Sequence, residues 1–194
     1  MIFAYKFFII FIISIINLKD AHSSKMKNSF LKNNIINISN YNYPKPDENP
    51  DKIVVAILNT NDIHGKAFSQ KLEYNNEQYS IGGLEYLGSY IDVLKKEFKE
   101  NFLWFDSGDQ FSGTLESKAT RGKVITDFFN FMKLDAATIG NHEFDWGRKI
   151  MNKMFKRANF PYISANIKMK NSNSERIDDM IQTKIFTLPN NSIK

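Results

Sequence analysis

The 194-residue sequence has no cysteine. That excludes disulfides, thiolate metal sites and a thiol nucleophile together, and leaves oxygen and imidazole as the strong ligands. Imidazole is itself scarce, since His22, His64 and His142 are the three histidines. Any metal or acid–base chemistry has to be built from very few of them. There is no block of five or more like charges, although 26 basic residues outnumber 21 acidic ones for a net charge of +5. A surface for a nucleic-acid polymer normally clusters its Lys and Arg, so no such partner is expected, and the scattered cations read as solvated faces. Nor is there an apolar run of the roughly twenty residues that a membrane-spanning helix needs. With 42% hydrophobic and 24% charged residues, the chain is neither disordered throughout nor collagen-like, and its length suits one ordinary domain with appendages.

The longest apolar run is Phe7 to Ile16, interrupted only by Ser14, preceded by Lys6 and followed by polar residues to Ser24. Ten residues with a basic flank describe the core of a secretory signal, and Ala21 and Ser23 supply small residues at positions −3 and −1 of a cleavage site. Residues 1–23 are therefore expected to be a signal peptide, with an uncleaved anchor as the alternative. The protein is expected to be secreted or held at the cell surface. Lack of cysteine does not oppose export, because a domain with enough core does not need disulfides. Residues 24–50 are polar and carry Pro44, Pro46 and Pro50, which disfavour helix and central strand, so they read as an Asn/Pro-rich linker. Asn37 and Asn190 begin N-glycosylation patterns, which are short and common by chance. The folded part is expected over 51–194.

That part alternates two periods. Ile53 to Leu58 is a β-branched apolar run, as for a strand covered on both faces. Leu84, Leu87, Ile91, Leu94 and Phe98 recur at steps of three and four, which marks an amphipathic helix. Phe102 to Phe105 is the next strand, then Val124, Ile125, Phe128, Phe129 and Met132 form a helical stripe. Ala136 to Ile139 reads as strand, the stretch around Ile150 to Phe155 as helix, Tyr162 to Ala165 as strand, and Lys184 to Leu188 as a further strand-like run. The class is α/β with a mainly parallel sheet and flanking helices.

The polar residues of interest follow the strands. Asp62 and His64 come after the first, Asp109 after the second, Asn141 and His142 after the third, and Asn166 after the fourth. Carboxyl ends of parallel strands share one edge of the sheet, where α/β proteins bind ligands, so residues about 80 apart in sequence can converge. Each motif alone has a plain explanation: Asp62 or Ser107-Gly108-Asp109 could turn the chain, and His142 could be a satisfied loop histidine. Four successive strand ends with oxygen or imidazole donors, with Gly65, Gly108 and Gly140 beside three of them, match chance poorly.

Asn61-Asp62-Ile63-His64-Gly65, Asp106-Ser107-Gly108-Asp109-Gln110-Phe111-Ser112-Gly113-Thr114 and Gly140-Asn141-His142-Glu143-Phe144-Asp145 with Gly147 resemble the successive motifs of the calcineurin-like metallophosphoesterases. Their wording is similar to the 5′-nucleotidase branch, and Phe160 to Ile167 resembles the segment that follows; Gly82-Gly83 fits as well, while Tyr86 stands where the family usually has Arg. The resemblance implies the first half of a metallophosphatase-type sandwich. It implies two divalent metal ions, zinc ahead of manganese, cobalt or iron: Asp62 and His64 on one, Asp109 bridging, and Asn141 on the second. His142 would be the catalytic imidazole, oriented by Asp145, and Asn141 and His142 would lie near the phosphate. Asp106 is expected to bond backbone beside the ligand loop, and Asn166 stays outside the ligand set.

The activity implied is phosphate monoester hydrolysis of nucleoside 5′-monophosphates, so the partner is a nucleotide or other phosphate ester. Cyclic-nucleotide or sugar-nucleotide hydrolysis within the same family is one alternative, and a non-catalytic secreted binding module is another. The family's further histidines, including a Gly-His-x-His motif, and its nucleoside-binding domain have no match in the sequence. The resemblance therefore implies the N-terminal part of a longer enzyme, in which membrane attachment would come from a signal anchor or from a C-terminal segment outside this sequence. Little turnover is expected of this chain alone.

Overall fold

The computed structural model describes residues 8–12, 54–167 and 180–188. His22, the linker at 24–50, Asn37 and Asn190 lie outside the described residues. Six strands form one sheet: β1 (Phe8–Ile12), β2 (Val54–Thr60), β5 (Phe102–Asp106), β6 (Ala136–Ala137), β7 (Tyr162–Ile163) and β8 (Met180–Ile181), in that spatial order. Every neighbouring pair is parallel. The α/β class with a parallel sheet is therefore the one observed. In the register of the central pair, Ala56 faces Phe102 and Thr60 faces Asp106. The stretch read as a leader core contributes the outer strand, Phe8 opposite Val54 through Ile12 opposite Leu58.

Strands are added in chain order, and right-handed crossovers then put each connecting helix on the same face. These helices are α1 (Leu84–Phe98), α3 (Lys123–Met132) and α4 (Arg148–Arg157). The core lies between them and the sheet. Leu87, Ile91, Leu94 and Phe98 from α1, Ile125, Phe129 and Met132 from α3, and Met151, Met154 and Phe155 from α4 meet Val54, Ala56, Leu58, Phe102 and Trp104. Burying one such aliphatic or aromatic side chain contributes about 1.5–3 kcal/mol. Trp104 packs edge-on against Phe129, with ring centroids 5.3 Å apart. On the opposite face Leu103 and Phe105 are half-buried, and Phe105 meets Phe186 edge-on at 5.2 Å.

Several elements differ from expectation. The third and fourth strands stop after two residues, because the chain beyond Ala137 and Ile163 turns into loops. Lys184 to Leu188 is not a strand; the last strand among the described residues is Met180–Ile181. The polar stretch after β2 folds into a hairpin, β3 (Gln70–Tyr74) and β4 (Glu77–Ile81). Asn75 and Asn76 form its two-residue turn with φ of 52° and 63°, the left-handed pair that suits the twist of a tight hairpin. A short helix, α2 (Leu115–Thr120), has no apolar stripe and is started by Thr114, whose hydroxyl accepts from Ser117 N at 3.2 Å.

Candidate active site

The sheet ladder does not stop at the strand ends. Ser107 N donates to Thr60 O, Asp62 N to Gly108 O, His64 N to Asp109 O and Gly65 N to Gln110 O, at 2.7 to 3.0 Å. The loops after β2 and β5 are thus zipped to one another as they leave the sheet. The zipping forces Asp62, His64 and Asp109 into left-handed backbone, φ 54°, 49° and 57°, a region that non-glycine residues enter at a cost of about 1 kcal/mol or more. The loop after β6 closes against the same pair. A Cβ on Gly108 would overlap the backbone nitrogen of Gly140, and one on Gly140 would overlap Asp109 Oδ1. Glycine at both places lets the two loops touch.

Two buried carboxylates hold this assembly. Glu143, 1% exposed, accepts from Asp109 N at 3.0 Å, Gln110 N at 2.7 Å and Gly140 N at 2.6 Å. It therefore binds the β5 loop to the β6 loop through backbone alone. Asp106 accepts from Thr60 Oγ1 at 2.6 Å, Gly108 N at 3.0 Å and Gln110 Nε2 at 2.8 Å. Its expected bond to loop backbone is present, and side chains add to it. Tyr162 donates its hydroxyl to Gln110 Oε1 at 2.9 Å, which carries the network across to β7. Burial pushes the Asp106 carboxyl up to about 7, raises that of Glu143, and lifts the Tyr162 phenol well above its ordinary range. Neither Glu143 nor Gln110 stands out in the sequence, because a polar residue inside a polar loop carries no periodic signal. Their position within the two glycine motifs was the available cue.

The imidazoles sit above this base. His64 Nδ1 is 2.9 Å from the carbonyl of Ser112, and its Nε2 is 3.4 Å from Asp62 Oδ1. Asn61 Nδ2 donates to Asp62 Oδ2. His142 N donates to Asp109 Oδ1 at 3.0 Å, and His142 Nδ1 is 2.7 Å from Asp145 Oδ2. The Asp145 hydrogen bond raises the His142 imidazole above its ordinary value, and the same contact, joined by Ser112 Oγ, holds Asp145 below the usual carboxylate range. The two rings meet edge-on with centroids 4.8 Å apart. Ligand atoms of His64, Asp109 and His142 all lie within 4.8 Å of one another.

Asp62, His64, Asp109 and His142 are thus brought to one edge, with one shift of emphasis. His142 stands inside the ligand group with His64 and Asp109, while Asp62 joins it through His64. Asn141 is exposed at the start of the short turn His142–Phe144. Asn166 lies apart, its side-chain oxygen accepting from Ser164 Oγ at 3.0 Å. Two imidazoles and carboxylate oxygen make a donor set that suits zinc, manganese, iron or cobalt.

A parallel α/β sheet with such donors along its carboxyl edge is the framework of a metal-dependent phosphoesterase. The chain belongs to the family described as Calcineurin-like phosphoesterase, whose pattern matches residues 55–193. It is 33% identical to the human 5′-nucleotidase over 135 residues, which cover 65% of this chain and 22% of that protein. It is 33% identical over 130 residues to the snake venom 5′-nucleotidase of Crotalus adamanteus, with coverage of 66% and 22%. The chain spans about a quarter of the length of the curated relatives it matches. Among solved structures it is similar to a 5′-nucleotidase precursor from Thermus thermophilus, with a TM-score of 0.62 and 27% identity over 69% of this chain and 26% of that one. The calcineurin-like phosphoesterase YfkN from Bacillus subtilis superposes with a TM-score of 0.52 and 27% identity, over 71% of this chain and 44% of that one. The fold is accordingly half of a metallophosphatase-type sandwich, with the sheet and its helices as one layer pair.

Proposed function

We propose that the protein hydrolyses phosphate monoesters of nucleosides, with nucleoside 5′-monophosphates as substrate and two divalent metal ions as cofactor. The observation that carries this reading is the convergence of His64, Asp109 and His142 within 4.8 Å, in a chain similar to 5′-nucleotidases. Asp62, His64 and Asp109 would hold one cation, and Asp109 and Asn141 the other; together these ions would polarise the phosphate and make water nucleophilic near neutral pH. Asn141 is neutral, so its amide oxygen adds a donor without cancelling the positive charge that attracts phosphate. Asp145 holds the Nδ1 proton of His142, which leaves Nε2 to face the phosphoryl group and to hold or deliver a proton there.

Phosphate release from AMP with added Mn²⁺ or Zn²⁺, measured beside binding of Mn²⁺ to the same chain, tests the reading. This chain alone is expected to release little phosphate, and His142→Ala is expected to lower that release by about a hundredfold or more. Release that survives the substitution, or a chain that binds no metal, overturns the assignment.

We propose further that residues 1–23 direct the protein into the secretory pathway, on the strength of the apolar run Phe7 to Ile16. Among the described residues no helix is long and apolar enough to cross a membrane. Removal of residues 1–23 and retention of β1 exclude one another. A secreted form beginning at Ser24 supports the leader, and a secreted form that keeps Met1 overturns cleavage.

A further inference from the structure

We propose that Ser112 is a positioning residue that fixes both imidazoles of the site at once, through its carbonyl on one side and its hydroxyl on the other. The inference rests on the site reading above. Ser112 is 9% exposed and lies in the loop after β5. Its carbonyl oxygen is 2.9 Å from His64 Nδ1. Accepting there requires the proton on Nδ1, which leaves the lone pair on Nε2, the nitrogen turned toward Asp62 at 3.4 Å. A partner of this kind fixes the tautomer in which a histidine can ligate a cation.

The hydroxyl acts on the other ring. Ser112 Oγ donates to Asp145 Oδ2 and is 2.9 Å from His142 Nδ1. Asp145 Oδ2 then receives the hydroxyl proton together with the Nδ1 proton of His142 at 2.7 Å. The Asp145 side chain is 40% exposed, and a carboxylate open to solvent on a short turn has several rotamers open to it. The hydroxyl selects the one that meets His142.

The neighbouring residues keep Ser112 in place. A Cβ on Gly113, whose φ is 145°, would lie 2.6 Å from His64 O and 2.8 Å from His64 Cβ, so the backbone there is pressed against the histidine. Thr114 Oγ1 donates to Gly65 O at 2.8 Å. The segment 112–114 is thus a backing wall for the His64 loop, and Ser112 is the point where that wall also touches His142 and Asp145.

The test uses the full chain, with Ser112→Ala to remove the hydroxyl and Ser112→Thr to restore it. Imidazole ¹⁵N signals of His64 and His142 are recorded without metal, and Mn²⁺ binding and thermal midpoint are measured alongside. Ser112→Ala is expected to move the His142 nitrogen signals, and to leave in place those of His64 and the Mn²⁺ affinity, since the Ser112 carbonyl that orients the ligand His64 is kept. Ser112→Thr is expected to return the His142 signals to wild-type values at an unchanged midpoint. Wild-type His142 signals in Ser112→Ala, or a defect that Thr does not repair, overturns the proposal. Absence of Mn²⁺ binding in the wild-type chain sinks the metal-site reading, and the nitrogen signals then decide the role of Ser112 alone.

Discussion

Trp104 and Asp106 stand two residues apart on the same face of β5, and both are 2% exposed or less. Around the Trp104 side chain the neighbours are rings and aliphatic chains, and its one polar side-chain atom donates to Thr60 Oγ1 at 3.1 Å. Around Asp106 they are the Thr60 hydroxyl, the Gln110 amide and the backbone of Gly108. Equal burial therefore serves two purposes along one strand. The inner half makes adhesion by excluding water. The outer half keeps polar atoms dry so that they can hold loops, which requires every buried donor and acceptor to be matched.

That contrast can be broken at either end. Trp104→Ala is expected to cost about 3–5 kcal/mol of unfolding free energy, as for loss of a large core aromatic, with Mn²⁺ affinity of the folded fraction unchanged; urea titration with a binding measurement checks both. Glu143→Gln replaces one carboxylate oxygen by an NH2, so that one or two of the three backbone donors face another donor, and is expected to cost about 1–3 kcal/mol through the donors left unmatched. Here, unlike at Trp104, metal affinity should fall with stability. A variant that loses stability and keeps its affinity would place Glu143 with the inner half.

Asp106 gives a pH signature. Its carboxyl is held neutral up to about 7 when folded, whereas in the unfolded chain it ionises near the ordinary aspartate value of about 4. Between these limits unfolding releases a proton, so this group's contribution to stability is full below about pH 4, declines as pH rises to about 7, and is flat above. Urea midpoints of the metal-free chain across that window, compared with those of Asp106→Asn, should show the decline weakened in the variant; parallel curves would mean that the carboxyl is already ionised in the fold. The smallest effect is expected at Thr114→Ala, about 1–2 kcal/mol for the lost helix cap together with the lost bond to Gly65 O, readable as a lower thermal midpoint.

The inner half was the more legible in sequence. Periods of two and of three to four residues arise from burial on one side, so α1, α3, β2 and β5 could be read from where Leu, Ile and Phe recur. The convergence of His64, Asp109 and His142 was legible because glycine accompanies these strand ends and because parallel strands share an edge. The roles of Glu143, Gln110 and Ser112 were not, since each works through backbone groups, or through an amide or hydroxyl that could bond to many partners. The hairpin at 70–81 and helix α2 were missed for a related reason: both are held by turn and cap chemistry, with no apolar face to repeat. Strand β8 is two residues long and too short to carry a period.

The left-handed backbone at Asp62, His64 and Asp109 makes durability and chemistry competing goods. Glycine at any of the three would relieve the conformational cost and remove a donor from the metal-binding edge. A population of variants screened for resistance to heat alone would tend to drift toward such replacements, since natural proteins retain costly residues where function requires them. Enrichment of glycine at positions 62, 64 and 109 in that screen, and its depletion under selection for Mn²⁺ binding, would separate what the chain needs to persist from what it needs to act.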